Sequence, residues 1–263
     1  MRKTRFSRGS RSGGGAATIV AALLVACSAS AGELDPQSAQ MLDHALQQLQ
    51  DLRDNAASLQ YDAKLHLTER DGKGRLRGSA NAVMTVRPGE TNPITYVSRE
   101  VHGKVRLPGS DNSKDEAKDD VTLQQFARDH RIHERFDFSV TTPDAVTAGT
   151  ARRIDFAPKP NQREKNTADR FLDAIEGSAW LTEGSDRLAK FEMRLRQPFQ
   201  LFWIFAVLKE LSIDYDLLEP NEFPGHARVK VAFWLASPIY TLRQEHDIEV
   251  DHFRRRELVM AGK

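Results

Sequence analysis

The sequence predicts an α+β fold: a curved antiparallel sheet, an incomplete β-barrel, wrapped around a few helices. Three observations carry that expectation. From Tyr61 onward, apolar and polar residues alternate with period two in segment after segment, the mark of strands with one dry face and one wet face. These segments follow one another across short turn signals, so neighbours pair antiparallel. A sheet that is dry on one face must be covered, and a few segments of helical periodicity are the only cover at hand.

The chain opens with Arg2, Lys3, Arg5, Arg8 and Arg11, then an apolar run over 16–26, then Ala29-Ser30-Ala31 before Gly32. The run is too short to span a bilayer, and the order is that of a secretory signal peptide. The expected organisation is a signal peptide over 1–31 and a single half-barrel domain over 33–263. The expected place is the cell envelope, either the periplasm or the periplasmic face of the outer membrane. Cys27 is the single cysteine. It ends Leu24-Val25-Ala26-Cys27, which resembles a bacterial lipoprotein box with Cys27 as the lipid attachment site. The other reading, cleavage after Ala31 and loss of Cys27, stays open.

The whole chain carries 38 basic and 37 acidic residues. Without the five basic residues of the signal the balance is 33 against 37, a formal −4. A net acidic surface argues against nucleic acid as a partner. With no second cysteine the fold cannot rest on disulfides, so about 230 residues must build one hydrophobic core.

Asp35-Pro36 is a helix start, and Leu42, Ala45, Leu46, Leu49 and Leu52 give an apolar stripe to about Ala57. Tyr61, Ala63, Leu65 and Leu67 mark a strand, Asp71-Gly72-Lys73-Gly74 a turn, and Ala80 to Val86 the returning strand. Ile94 to Leu107 reads as a third strand. A charged loop follows to Asp120, then a second helix from Val121 to about Glu134. Phe136, Phe138 and Val140 alternate, as do Ile154 and Phe156. The segment from Asn161 to Leu172 is polar and helix-prone. Ile175 to Thr182 and Arg187 to Arg196 form a hairpin about Glu183-Gly184-Ser185-Asp186. Further strands are expected at Leu211 to Leu217, His226 to Leu235 and Tyr240 to Phe253.

The order of these elements, with Phe136-Asp137-Phe138, the run from Arg153 to Pro160, Glu176-Gly177-Ser178-Ala179-Trp180-Leu181 and the Leu188 to Gln197 strand, resembles the bacterial outer-membrane lipoprotein-sorting (LolA/LolB-like) superfamily. That resemblance covers most of the chain after the signal. It implies a half-barrel with a helical lid that holds acyl chains in an apolar cavity. The partners it implies are lipid acyl chains or an acylated protein, with the outer-membrane surface as a further partner.

One segment breaks the alternation. Phe199-Gln200-Leu201-Phe202-Trp203-Ile204-Phe205-Ala206-Val207-Leu208 is apolar nearly all round, where a polar hairpin loop would be expected. Three readings compete: an internal plug, a lid over a bound acyl chain, and an exposed wedge. Phe199, Leu201, Phe202, Trp203, Phe205 and Leu208 are therefore the first candidate ligand contacts. Phe191, Met193, Leu195, Ile213, Tyr215, Val231 and Phe233, on the strands either side, are the second set.

Catalytic signatures are scarce. His130-Arg131-Ile132-His133 has a metal-compatible spacing but lacks the glutamate of a zinc-protease motif and an obvious third ligand. His246 and His252 share a strand face but stand about 20 Å apart. There is no Gly-x-Ser-x-Gly elbow and no phosphate-binding glycine loop. The expectation is a non-enzymatic envelope carrier or receptor for lipid or lipoprotein, with no cofactor and no metal. An envelope interaction protein without cargo and an unrecognised hydrolase are the alternatives.

Overall fold

The computed structural model describes residues 36–55, 58–88, 90, 92–108, 129–146, 149–160, 166–202, 206–219 and 225–255. The signal peptide, Cys27, Asp35 and the helix expected over 121–128 lie outside the described residues.

The strands are β1 (Leu59–Arg70), β2 (Leu76–Val86), β3 (Ile94–Gly103), β4 (Phe136–Val146), β5 (Gly149–Pro158), β6 (Ile175–Thr182), β7 (Leu188–Leu195), β8 (Phe199–Phe202), β9 (Ala206–Glu219), β10 (His226–Ala236) and β11 (Thr241–Arg255). They form one antiparallel sheet in the order β3-β2-β1-β11-β10-β9-β7-β6-β5-β4, with β8 also paired to β9. Two meanders, β1–β3 and β4–β11, are thus joined where the last strand pairs with the first.

This corrects the expected fold class. Strand takes 65% of the structure and helix 13%, and the sheet is single and open. β3 and β4 are its two ends. It is neither α+β nor an incomplete barrel wrapped around several helices. Among the described residues, the segments expected to be helical supply α2 (Ile132–Arg135), α3 (Thr167–Leu172) and a helical Asp129. β9 is also longer than expected, since it begins at Ala206 and takes in Val207 and Leu208 as well as Lys209 and Glu210.

The one long helix among the described residues, α1 (Pro36–Asp54), starts at its proline as expected. Met41 and Ala45 are buried in the main core. The side chains of Leu42, Leu46, Leu49 and Leu52 lie outside those described. Polar contacts fix where α1 rests. Arg152 Nη2 donates to Gln37 Oε1 at 2.7 Å, and Gln48 Nε2 donates to the Ser185 carbonyl at 3.2 Å. His44 Nδ1 lies 3.1 Å from Asp186 Oδ2. The helix therefore lies over β5 and the β6–β7 hairpin.

Register aligns the dry face into rows. One row runs Leu67, His246, Val231, Ile213, Met193, Gly177, Phe156, Phe138 across eight strands. Gly177 is required in it. A Cβ there would sit 2.0 Å from the Glu192 carbonyl and 2.6 Å from Phe156 Cζ. The glycine lets Phe156 reach across and stack on Phe191 at 5.9 Å. The opposite face is a ladder of exposed and half-exposed ion pairs, such as Lys64–Glu249 at 3.2 Å and Arg228–Asp247 at 2.8 Å. Such pairs keep the face wet and add little stability.

Candidate functional site

The dry face is covered at both flanks and less well between them. On the β4–β9 flank, α1 and α2 close the main core around Ile132, Phe136, Ile154, Phe156, Phe191, Met193 and Ile213. On the β1–β2 flank, Ala63, Leu65, Leu67, Ala80, Ala82 and Met84 pack beneath Leu107. The Tyr96 hydroxyl donates to the Pro108 carbonyl and holds the segment carrying Leu107 in place. A third, smaller cluster joins Ala174, Phe199 and Leu208.

Between these clusters lies a seam along β10 and β11. Val229, Val231, Phe233 and Leu235 on β10 share the dry face with Leu242, Ile248 and Val250 on β11. All seven are only partly buried, unlike their fully covered neighbours at either side. Val231 packs on the first cluster, Ile248 on the second and Phe233 on the third. The seam is the line at which the three cores meet without merging.

Polar groups interrupt it. Gln244 and His246 occupy the dry face of β11, cross-strand from Glu69 and Leu67. Gln244 Nε2 donates to Glu69 Oε2 at 3.0 Å, and Gln244 Oε1 lies 3.2 Å from His246 Nε2. Glu69 is buried and ion-paired with Arg77 Nη1 at 3.3 Å. The imidazole of His246 leans on Phe233, with ring centroids 5.9 Å apart. Burial holds His246 below the usual histidine range. Tyr215, one strand beyond β10, is pushed up to about 12 by burial and stays a neutral phenol.

The structure divides the residues singled out from sequence. Phe191, Met193 and Ile213 are core packing, almost wholly buried. Leu195, Tyr215 and Val231 flank that core, and Phe233 reaches the seam. The described residues of the segment 199–208, namely 199–202 and 206–208, are strand. Phe199 pairs with Leu208 and Gln200 with Val207, so β8 and the start of β9 form a hairpin continuing the line of β7. Its alternation returns once seen as strand: Phe199 is buried, Gln200 exposed and Leu201 half-buried. Phe199 is held beneath α3, edge-on to Phe171 at 5.5 Å and under the Arg170 guanidinium at 5.7 Å. Trp203, Phe205 and the Phe202 side chain lie outside what is described. Val229, Ile248, Val250, Gln244, His246 and Glu69 were missed. Alternation gave their parity, but only the β1–β11 register brings Glu69 beside Gln244.

Two histidine expectations change. His252 does not share a face with His246. It adopts φ 52° at a register shift between β1 and β11, and its Nδ1 lies 3.8 Å from Asp62 Oδ2 on the wet face. The extra residue of this bulge turns it over. His130 belongs to a buried ionic cluster. Its Nδ1 lies 2.8 Å from Asp169 Oδ1, while Arg135 reaches Asp169 Oδ2 at 3.4 Å and also pairs with Asp173. This cluster ties α2 to α3. Among the described residues, no group of three or more His, Cys, Asp or Glu side chains is placed to hold a metal ion.

No known protein family matches the chain, and no curated protein matches it. Among solved structures it is similar to a DUF1329 family protein from Desulfovibrio piger, at 11% identity, over 87% of this chain and 96% of that one, with a TM-score of 0.30. It is also similar to the tesB protein of Mycobacterium avium subs paratuberculosis, at 10% identity, over 81% and 86%, with a TM-score of 0.17. At these scores neither likeness bears on what the chain does.

Proposed function

We propose that this chain is a cell-envelope protein that binds single acyl chains, of a lipid or of an acylated protein, along the β10–β11 seam, without catalysis. The observation that carries the reading is the half-burial of an apolar line, interrupted by Gln244 and His246, between well-buried clusters. A sheet needing only stability would close that line with larger side chains from the elements that cover its dry face. Each buried methylene gains about 0.8 kcal/mol, so half a dozen in the seam supply roughly 5 kcal/mol without a polar contact. The signal peptide and the sequence resemblance to lipoprotein-sorting proteins support an envelope setting. Lipid attachment at Cys27 would make the chain a tethered receptor, and its loss with the signal a soluble carrier.

The test is displacement of the apolar dye N-phenyl-1-naphthylamine by monopalmitoylglycerol. The mature protein should bind both, and Val229→Lys should weaken both at least tenfold. Val229 lies on the seam and in none of the three clusters, so the variant should melt within a few degrees of the parent. A folded Val229→Lys variant that binds as the parent does would end this reading.

A further inference from the structure

The polar relay inside the seam has a direction. Glu69, ion-paired with Arg77, can only accept, so the Gln244 amide must turn its NH₂ toward it. That leaves Gln244 Oε1 facing His246, and an oxygen acceptor there requires the proton on His246 Nε2. In the neutral ring the other nitrogen, Nδ1, is then a lone-pair acceptor, and among the described residues it has no partner. It stands in a row otherwise built of Leu67, Val231, Ile213 and Met193.

An unpaired acceptor on an apolar surface favours a ligand that brings a donor. A carboxylate brings only acceptors, and it would face the Nδ1 lone pair with the Glu69 charge one residue pair away. Building on the acyl-binding reading above, we infer that the seam selects neutral single-chain amphiphiles bearing a hydroxyl or amide N–H near the head, such as monoacylglycerols, over free fatty-acid anions, and that His246 is the residue that discriminates.

The groups around His246 bear on its response to acid. From β1 they are Glu69 and the apolar Leu67, from β2 Arg77, from β10 Val231 and Phe233, and from β9 Tyr215 at the far side of Val229. Among these groups Glu69 and Arg77 carry charge, and they pair with each other. Protonating Nδ1 turns the acceptor into a cationic donor, so the preference should fall or reverse in acid.

The experiment compares monopalmitoylglycerol with palmitate by dye displacement at pH 8, each below its aggregation limit. A hydrogen bond gained by one ligand and lost by the other gives roughly a tenfold preference for the neutral lipid. His246→Leu should keep dye binding and bring the ratio to within about twofold of unity. Long-range ¹H–¹⁵N correlation of the imidazoles reads the tautomer with no ligand present, and the Nε2–H form is expected. Equal affinities in the parent, an unchanged ratio in the folded His246→Leu variant, or an Nδ1–H tautomer would each overturn the inference while leaving acyl binding intact. Failure of both lipids and the dye to bind would remove the acyl-binding reading itself.

Discussion

Replacing Arg135 by methionine tests how the cover of the sheet is held. The guanidinium is almost fully buried, and it lies among Asp169, Asp173 and the largely buried His130. It also donates to the Asp169 carbonyl at 3.2 Å and the His130 carbonyl at 3.4 Å. Methionine fills much of the same volume but takes the guanidinium away from the buried Asp169 carboxylate. Removing one member of a buried ion pair costs about 3–5 kcal/mol. For a domain of this size each kcal/mol moves the melting point by roughly 2–4 °C, so the loss should be about 6–20 °C. Asp169→Leu alone should cost a similar amount. The double variant, with neither charge left inside, should cost less than either single one, since apolar replacement of a whole pair is often neutral. Asp173 is partly exposed and can turn to water. Urea titrations at pH 7, followed by far-ultraviolet circular dichroism and tryptophan fluorescence, give the four free energies. A single variant within about 1 kcal/mol of the parent, or a double variant costing the sum of the two, would refute the account of α2 and α3 as charge-tethered.

Two further outcomes follow from local geometry. Gly177→Ala places a methyl group against the Glu192 carbonyl and the Phe156 ring and should lower the melting point by several degrees; an unchanged melt would mean that β6 and β7 can part there without cost. Asp214→Asn should raise it. Burial, with Glu192 and Asp216 nearby, lifts the Asp214 carboxyl above its ordinary value. The folded state then holds the proton more tightly than the unfolded one, so Asp214 costs stability as pH rises through the folded value. The gain from asparagine should be present at pH 7 and vanish below about pH 3.9, where both states are protonated. A gain that persists in acid would point to something other than charge.

The fold was legible where one residue in two carries the signal. Phe191, Met193 and Leu195 alternate with Lys190, Glu192 and Arg194 so regularly that β7 could be drawn from the sequence to within a residue. Alternation is a property of one strand, however, and says nothing of its partner. Pairing of β1 with β11 joins residues almost two hundred positions apart and leaves no local trace. That pairing opens the sheet into two meanders, where a half-barrel was expected. It also assembles the candidate site, since Glu69 meets Gln244 only across it. The same limit explains the segment 199–208. Its composition announced burial, but whether as plug, lid or wedge depended on β9 being its neighbour, with α3 supplying the cover for Phe199.

The relay of Glu69, Gln244 and His246 also separates a binding surface from a merely unfinished core. Burying a carboxylate and an imidazole on an apolar face costs stability that hydrogen bonds at best offset. Replacing the whole relay by apolar groups should leave the fold standing, so a role in ligand choice is read from the lipid preference. The triple variant Glu69→Met, Gln244→Leu, His246→Leu makes the β1–β11 junction uniformly apolar, and Arg77, one-third exposed and lying over the Tyr240 ring at 5.7 Å, can rehydrate. The expected outcome is a stability equal to or above that of the parent, dye binding retained or strengthened, and the preference for monopalmitoylglycerol over palmitate abolished. A loss of more than about 2 kcal/mol in a urea titration would instead place the relay among the supports of the sheet, because a whole network replaced by apolar groups should not cost that much.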